Sequence, residues 1–242
     1  MRDNTVFDLG YWWVKLDDVF SAYKYLEEFV SDKQAISVHC NSIKYVHLDA
    51  NNNLSYDVSG NIKKIFNQSR VSSIQDAFKI YSNQVLVVFT SITDSMINEF
   101  MLCLFLHNQK MFYQYLNNKD YEYLRKIDIK DIETLTDTKD IMRYQGIRIA
   151  KALNSGSIDK VFKRIEYICK INIDLSLKKS ISSLYDRRNR IVHEIEDYEF
   201  NSKDIFNYYD NCDELRIILG KILHDNGAEI FDQAHWVITD HE

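Results

Sequence analysis

Arginine, asparagine and histidine, three residue types that can act on a phosphate ester, occur together in the run Leu184–Glu194 (LYDRRNRIVHE). An arginine offers paired N–H donors that match the oxygens of a phosphate. A histidine titrates near neutral pH and can therefore accept or donate a proton during a reaction. The asparagine, Asn189, can hold an arginine or a phosphate oxygen by hydrogen bonds. The composition of this run therefore favours chemistry on a phosphate.

The helix predicted to carry this run has one arginine where its apolar face should be. Residues 176–195 follow helical periodicity, and at about 100° per residue their apolar side chains form one stripe. The members of the stripe are Ile181, Leu184, Tyr185, Val192 and Ile195. Arg188 falls in the middle of the stripe, whereas Arg187 and Arg190 fall on the polar side, where a solvated arginine belongs. Burying an unpaired guanidinium is costly, so Arg188 needs a specific explanation.

Three arrangements would explain Arg188: a carboxylate inside the bundle, a second subunit, or a cleft where a phosphate supplies the negative charge. A structural salt bridge, or a frayed helix end that lets the guanidinium reach water, explains it without any function. Asp186, Asn189 and His193 lie together along one edge of the same helix. His193 alone is more typical of a surface histidine than of a catalyst, so the functional hypothesis depends on the whole group.

The hexapeptide RNRIVH, from Arg188 to His193, resembles the R-x(4–6)-H motif of the HEPN superfamily, in the form with a polar residue directly after the arginine. Arg188 leaves four intervening residues before the histidine, whereas Arg187 would leave five; the apolar stripe favours Arg188. The resemblance covers about residues 73–225. It implies a bundle of four or five helices with the motif near the C-terminal end of a late helix.

The resemblance also implies an activity, that of a metal-independent endoribonuclease. RNA supplies its own nucleophile, the 2′-OH; the reaction needs a base, an acid for the 5′-oxygen and positive charge on the phosphate. Arg188, Asn189 and His193 are the implied catalytic residues. The products would be a 2′,3′-cyclic phosphate and a 5′-hydroxyl, and DNA should resist cleavage. The residues that could support the site are Arg187, Arg190, Glu194, Asp186 and Glu99. The last of these lies in an apolar helix and could reach the cleft or pair with Arg188.

One histidine per chain is half of such a site, and the resemblance implies that two subunits pair so that both motifs face one cleft. We therefore predict a homodimer with a composite active site. The implied biology is a toxin or a phage-defence effector of the abortive-infection type, with an antitoxin or regulatory protein as a compatible partner. HEPN toxins paired with minimal nucleotidyltransferase antitoxins usually have a tyrosine two residues after the histidine. Here that position is Ile195 and the nearest tyrosine is Tyr198, which argues against that subgroup.

An RNA substrate would need basic surface beside the cleft. Lys178 and Lys179 precede the motif, and the preceding helix carries Lys160, Lys163, Arg164 and Lys170. A solvated basic face balanced by acids elsewhere explains each lysine equally well. The alternative function is a non-catalytic helical module that binds RNA, a nucleotide or a partner protein, in which Arg188 serves an interface.

Two other groups of residues could bind ligands. Trp12 and Trp13 could stack bases, but they are more typical of a core contact between the N-terminal region and the bundle. His39 and His47 could bind a metal together with Cys40. No fourth ligand is in view, so we expect neither a metal nor a cofactor.

The composition predicts a mainly α fold. The 242 residues include no proline and six glycines, which is too little turn chemistry for a mostly β protein. Residues 1–70 are predicted to form an N-terminal extension that is α or α+β, and residues 73–240 a HEPN-like helical domain. Net charge is −6, which argues against strong non-specific binding of nucleic acid by the whole surface.

The predicted elements follow from local patterns. Residues 14–30 have helical spacing, whereas alternation at Ile36/Val38 and Ile43/Tyr45, with a turn at Asn51–Asn53, predicts a short hairpin. Residues 61–73 are rich in asparagine and serine and predict a connection. The later helices are predicted over 73–117 (as one helix or as two with a break near Thr90–Asp94), 129–153, 157–171, 174–194 and 202–225.

The cysteines and the N-terminus suggest a compartment. The four cysteines are far apart and lack metal-site spacing, so they are predicted to be reduced thiols in a cytoplasmic protein. The first residues lack the apolar segment of a signal peptide. The apolar stretches Gln84–Phe89 and Phe100–Leu106 are each too short to span a bilayer, so no membrane association is expected.

Overall fold

The computed structural model of the chain describes residues 5–43, 47–48, 54–55, 60–117, 121, 123–124, 126, 137–194 and 198–232. Within them the fold consists of eight helices and four strands of two residues each. The helices are α1 (Leu9–Ser31), α2 (Lys33–Ser42), α3 (Asn61–His107), α4 (Lys110–Leu116), α5 (Thr138–Leu153), α6 (Ile158–Cys169), α7 (Leu175–His193) and α8 (Ser202–Asp225). The strands are β1 (Phe7–Asp8), β2 (His47–Leu48), β3 (Leu54–Ser55) and β4 (Ile230–Phe231). The predicted mainly α bundle with a small N-terminal extension is confirmed.

α3 is the central helix of the bundle. Its 47 residues contact α1, α2, α5, α7 and α8, so it buries apolar side chains on several faces. The connection predicted over residues 61–73 is wrong, because α3 already begins at Asn61; the break near Thr90–Asp94 is also absent from this helix. The hydroxyl groups of Thr90 and Thr93 donate to backbone carbonyls of the preceding turn, which satisfies them inside the helix.

Among the described helices, one segment of α3 is long and apolar enough to cross a membrane by length and composition alone. That segment, Lys63–His107, includes both of the apolar stretches named above, Gln84–Phe89 and Phe100–Leu106. Each stretch is still too short by itself, and the expectation of no membrane association stays a prediction. In the most apolar window of this segment, 61% is buried inside the protein, as befits a helix surrounded by its neighbours in the bundle.

α1 packs the N-terminal region onto the bundle. Trp12, Leu16 and Tyr23 are buried, and the helix contacts both α3 and α8. The interpretation of Trp12 as a core contact is confirmed. The predicted boundary at residues 70–73 lies within α3, and one apolar core includes side chains from both sides of it. β1 also pairs in parallel with β4 near the far end of the described chain.

The N-terminal region does contain a short hairpin, but its first strand is not where it was predicted. Residues 36–38 belong to α2, which begins after Asp32; the Asp32 carboxylate accepts hydrogen bonds from the N–H groups of Gln34 and Ala35. The antiparallel strands are instead β2 and β3. They flank the predicted asparagine turn, which lies outside the described residues, as does Tyr45.

The helices around the motif begin at polar caps. Asp137, Asp174 and Asn201 accept hydrogen bonds from backbone N–H groups in the first turns of α5, α7 and α8. Asn201 and Asp204 form a capping box at the start of α8. The predicted bounds of α7 and α8 are confirmed. The predicted continuous helix from residue 129 is wrong, because α5 begins at Thr138 after the extended Asp137 cap; residues 129–136 lie outside the described residues.

Candidate active site at the end of α7

Apolar side chains in the first half of α7 are buried in the bundle, whereas several side chains at its C-terminal end are exposed. Leu177, Ile181 and Leu184 are buried, and the helix contacts α3, α6 and α8. Val192, by contrast, is 44% exposed. The predicted apolar stripe is therefore no longer buried at Val192, although Ile191 beside it still packs against the core. Ile195 lies outside the described residues.

Arg188 is half-buried and faces a carboxylate on α3. Its guanidinium acts electrostatically on both Asp94 and Tyr185, and the Tyr185 hydroxyl donates to Asp94 Oδ1 at 2.7 Å. Burial raises the pKa of Asp94, while the hydrogen bond from Tyr185 and the charge of Arg188 oppose the rise. A carboxylate inside the bundle, one of the arrangements that would explain Arg188, is therefore present.

The three motif residues have different surroundings. Arg188 Nη1 donates to Asn189 Oδ1 at 2.9 Å, so the asparagine does hold the arginine. Asn189 and His193 are both exposed, and His193 is the last residue of α7. The motif thus combines a half-buried guanidinium that is hydrogen-bonded to Asn189 with a histidine that is exposed to solvent.

A polar cleft of about 370 Å³ opens beside Arg188 and Asn189. Its walls come from α3, from the connection between α5 and α6, from the start of α6, and from α7. The polar and charged side chains that line it include Asp94, Asn98, Asn154, Asp159, Asp186 and Arg188. Arg188 therefore lines a cleft as well as facing a carboxylate.

Arg187 is not the solvated arginine that helical periodicity predicts. Its guanidinium carbon lies 5.8, 5.6 and 5.7 Å from the ring centroids of Tyr198, Phe200 and Tyr208. These are cation–π distances. The segment after α7 folds back over the helix, where Asn83 of α3 exchanges two hydrogen bonds with the backbone of Tyr198. Arg187 therefore fastens this segment rather than lining the cleft, whereas Arg190 is exposed as predicted.

Glu99 faces α1. It is only 6% exposed and accepts a hydrogen bond from Trp12 Nε1 at 3.0 Å. The backbone N–H of Asp8 donates to the same carboxylate oxygen at 3.4 Å. The carboxylate beside Arg188 belongs to Asp94, five residues earlier on α3. Of the remaining acidic candidates, Asp186 is exposed at the cleft and Glu194 is exposed just after α7.

Two of the four predicted RNA-binding residues have structural roles. Lys178 Nζ donates to Glu166 Oε1 at 2.6 Å. Although burial raises the pKa of Glu166, the hydrogen bonds from Lys178 and from the Ile173 N–H lower it below its usual range. Arg164 donates to the backbone carbonyls of Leu153 and Ser155 at the end of α5. Both side chains therefore have partners within the protein, and RNA binding by these two residues stays a prediction.

Lys163 and Lys179 are exposed. Together with Lys178 they line a second cleft, of about 510 Å³, between α6 and α7. This cleft shares three residues with the one beside Arg188, namely Asp159, Ser182 and Asp186. The two clefts therefore adjoin along the face of α7.

Comparisons with models of protein families, with curated proteins and with solved structures found no match for this chain. The described residues contain no group of three or more histidine, cysteine, aspartate or glutamate side chains that could hold a metal ion. None of the four cysteines, all of which the structure describes, forms a disulfide.

Proposed function

We propose that this chain is a metal-independent endoribonuclease of the HEPN class that leaves a 2′,3′-cyclic phosphate and a 5′-hydroxyl. The supporting observation is the arrangement at the end of α7. Arg188 lies half-buried at the edge of a polar cleft, Asn189 is hydrogen-bonded to it, and His193 is exposed at the last residue of the helix. An arginine held in this way can present its other N–H donors to a phosphate.

In the proposed reaction the 2′-oxygen attacks the adjacent phosphorus, and the bond from phosphorus to the 5′-oxygen breaks. A base accepts the proton of the 2′-OH and an acid delivers a proton to the 5′-oxygen. His193 performs one of these transfers, and the same residue of a second subunit performs the other. Arg188 stabilises the charge that develops on the phosphate oxygens. The proposed enzyme is therefore a homodimer with a composite site.

The test is cleavage of RNA by the purified protein in EDTA, compared with Arg188→Ala and His193→Ala. We expect the wild type to produce cyclic phosphate ends and each variant to lose most of the activity, on the order of 10²-fold or more for a proton-transfer group. DNA of the same sequence should stay intact. Equal cleavage by the wild type and both variants would mean that the activity belongs to a contaminant, and the proposal would fall.

The chain offers a matched control for each substitution. His224→Ala removes an exposed histidine of α8, and Arg70→Ala removes an exposed arginine of α3, both away from the cleft residues. Both controls should keep full activity. Melting temperatures of all four variants show whether a loss of cleavage comes from loss of folding.

A non-catalytic role for the same surface is the second candidate. The observation that favours it is Asp94, which already supplies a negative charge beside Arg188. If the intact protein bound RNA or a nucleotide without cleaving it, and His193→Ala bound equally well, this second candidate would replace the first.

The proposed biology is that of a toxin or abortive-infection effector, which an antitoxin or regulatory protein would restrain. Induced expression of the wild type should arrest growth, and His193→Ala should relieve the arrest. Normal growth with abundant wild-type protein would argue against a toxic effector acting alone.

A further inference from the structure

The cleft beside Arg188 has hydrogen-bond acceptors without donors to satisfy them. The Oδ1 atoms of Asn98 and Asn154 are buried and have no hydrogen-bond partner among the described residues. The orientation of the Asn154 amide follows from its Nδ2, which donates to the backbone carbonyl of Asp94 at 2.9 Å. Buried polar atoms are nearly always paired in proteins, so a ligand that brings N–H donors would complete this wall.

The charges around the cleft favour a neutral ligand group over an anion. Three carboxylates line it, those of Asp94, Asp159 and Asp186, against the single guanidinium of Arg188. A phosphate inside the cleft would be repelled by these carboxylates. A phosphate at the edge, beside Arg188, would have the guanidinium to offset this repulsion. The interior therefore suits the uncharged, donor-bearing part of a nucleotide, which is its base.

The size of the cleft and its acceptors narrow the choice of base. Its volume of about 370 Å³ falls within the range of roughly 300–1,000 Å³ that small-ligand sites occupy. Guanine has two adjacent donor groups on its Watson–Crick edge, N1–H and the N2 amino group. Adenine and cytosine each have one amino group there, and uracil has one N–H. A carboxylate with neighbouring amide oxygens therefore matches guanine best.

We infer that this cleft is the base subsite of the enzyme and that it binds the guanine next to the cleaved phosphate. The inference rests on the proposed function, because the phosphate beside Arg188 belongs to the same RNA. The base would contact Asp94, Asn98 and Asn154, whereas the reaction would use Arg188 and His193. A substitution at the base subsite can therefore reduce base selectivity without abolishing cleavage, and a substitution of Arg188 or His193 can do the reverse.

The first test is calorimetric titration of the full chain, in EDTA, with the four nucleoside 3′-monophosphates. All four carry the same phosphate and differ only in the base. We expect 3′-GMP to bind at least roughly tenfold more tightly than the others, as two matched hydrogen bonds allow. Equal affinities, or a preference for another base, would overturn the inference.

The second test is Asn98→Leu, which removes one acceptor with little change in side-chain size. It should reduce the preference for 3′-GMP over 3′-UMP. Asn207→Leu, at an exposed position of α8, is the matched control and should keep the preference. A preference that survives Asn98→Leu in a folded chain would count against the inference. If this variant does not fold, the titrations of the wild type decide the question.

Mapping the cleavage sites on a mixed-sequence RNA separates this inference from the proposed function. Cleavage without a bias for guanine would overturn the subsite and leave the ribonuclease standing. Selective binding of 3′-GMP without any cleavage would support the guanine site and overturn the ribonuclease.

Discussion

Asp94 connects the stability of the protein to pH at the scale of a single residue. Burial raises the pKa of this carboxyl above its ordinary value of 3.8. The folded chain therefore binds the Asp94 proton more tightly than the unfolded chain does, and stability falls as pH rises through the interval from 3.8 to the raised pKa.

We predict that Asp94→Asn has a higher melting temperature than the wild type at neutral pH. The amide still offers an oxygen to the Tyr185 hydroxyl but never carries the charge that burial penalises. The difference should shrink as pH falls towards 3.8, where the wild-type carboxyl is also protonated. Melting curves across this range measure the effect. A variant less stable than the wild type at neutral pH would contradict it.

Arg187 and Arg188 are adjacent in sequence, and we expect Arg187 to act in stability and Arg188 in cleavage. Because Arg187 lies among three aromatic rings, we predict that Arg187→Ala lowers the free energy of unfolding by about 1–2 kcal/mol. Below its melting temperature the variant should still cleave RNA. Arg188→Ala should show the opposite, with little loss of stability and a large loss of cleavage. Denaturant unfolding and cleavage rates, measured on both variants, would reveal an exchange of these roles.

Helical periodicity was enough to single out Arg188 at this scale, because an arginine on an apolar stripe is visible within one helix. It could not reveal the partners of that arginine. Tyr185 and Asp94 are 91 positions apart in sequence. Asn98 lies farther along α3, and Asn154 follows the end of α5. The prediction that Arg187 is solvated was wrong for the same reason. Its aromatic neighbours come after α7 in the sequence, so periodicity within α7 could not show them.

At the scale of the helices, Gly146 sets how closely α5 approaches α3. A Cβ atom at this position would lie 2.7 Å from Leu102 Cδ1 and 3.0 Å from Phe105 Cδ1, and both of those side chains are buried. We predict that Gly146→Val lowers the free energy of unfolding by about 1–3 kcal/mol through overpacking. The result would oppose the helix propensities, which favour valine over glycine.

Lys139→Val is the matched control for this prediction, because Lys139 is exposed on the same helix. It should cost at most about 0.7 kcal/mol, the span of ordinary helix propensities. Urea unfolding measures both variants. Equal losses would mean that the two helices do not meet closely at Gly146.

The sequence predicted the helices best where a polar cap and an apolar period agreed. Asp174 and Asn201 marked the starts of α7 and α8 correctly. In α2, the alternation of Ile36 and Val38 suggested a strand, yet the Asp32 cap prevails and starts a helix. In α3, the sequence left open a break near Thr90–Asp94 or a continuous helix; the hydroxyl groups of Thr90 and Thr93 bond within the helix, which is continuous there. The strand prediction in α2 was wrong because the hydrogen bonds of the Asp32 cap outweigh the side-chain alternation.

At the scale of the whole molecule, the proposed composite site would make activity a property of the dimer. We predict that excess His193→Ala chain suppresses the wild type, because most wild-type chains then pair with a subunit that lacks the second histidine. The rate of RNA cleavage per wild-type chain, measured as His193→Ala is added, should fall steeply. An equal excess of serum albumin should have no effect. A constant rate would mean that each chain cleaves RNA by itself.

The exposure of Asn189 and His193 has a consequence in genetic terms. Neither side chain takes part in the core, so a single codon change at either position should spare expression, folding and subunit pairing. If the activity harms the cell, survivors selected against it should therefore often carry a full-length chain at normal abundance with one substitution near the end of α7. Frameshifts and unfolded chains need not predominate among these survivors, because one substitution would abolish the activity without unfolding the protein.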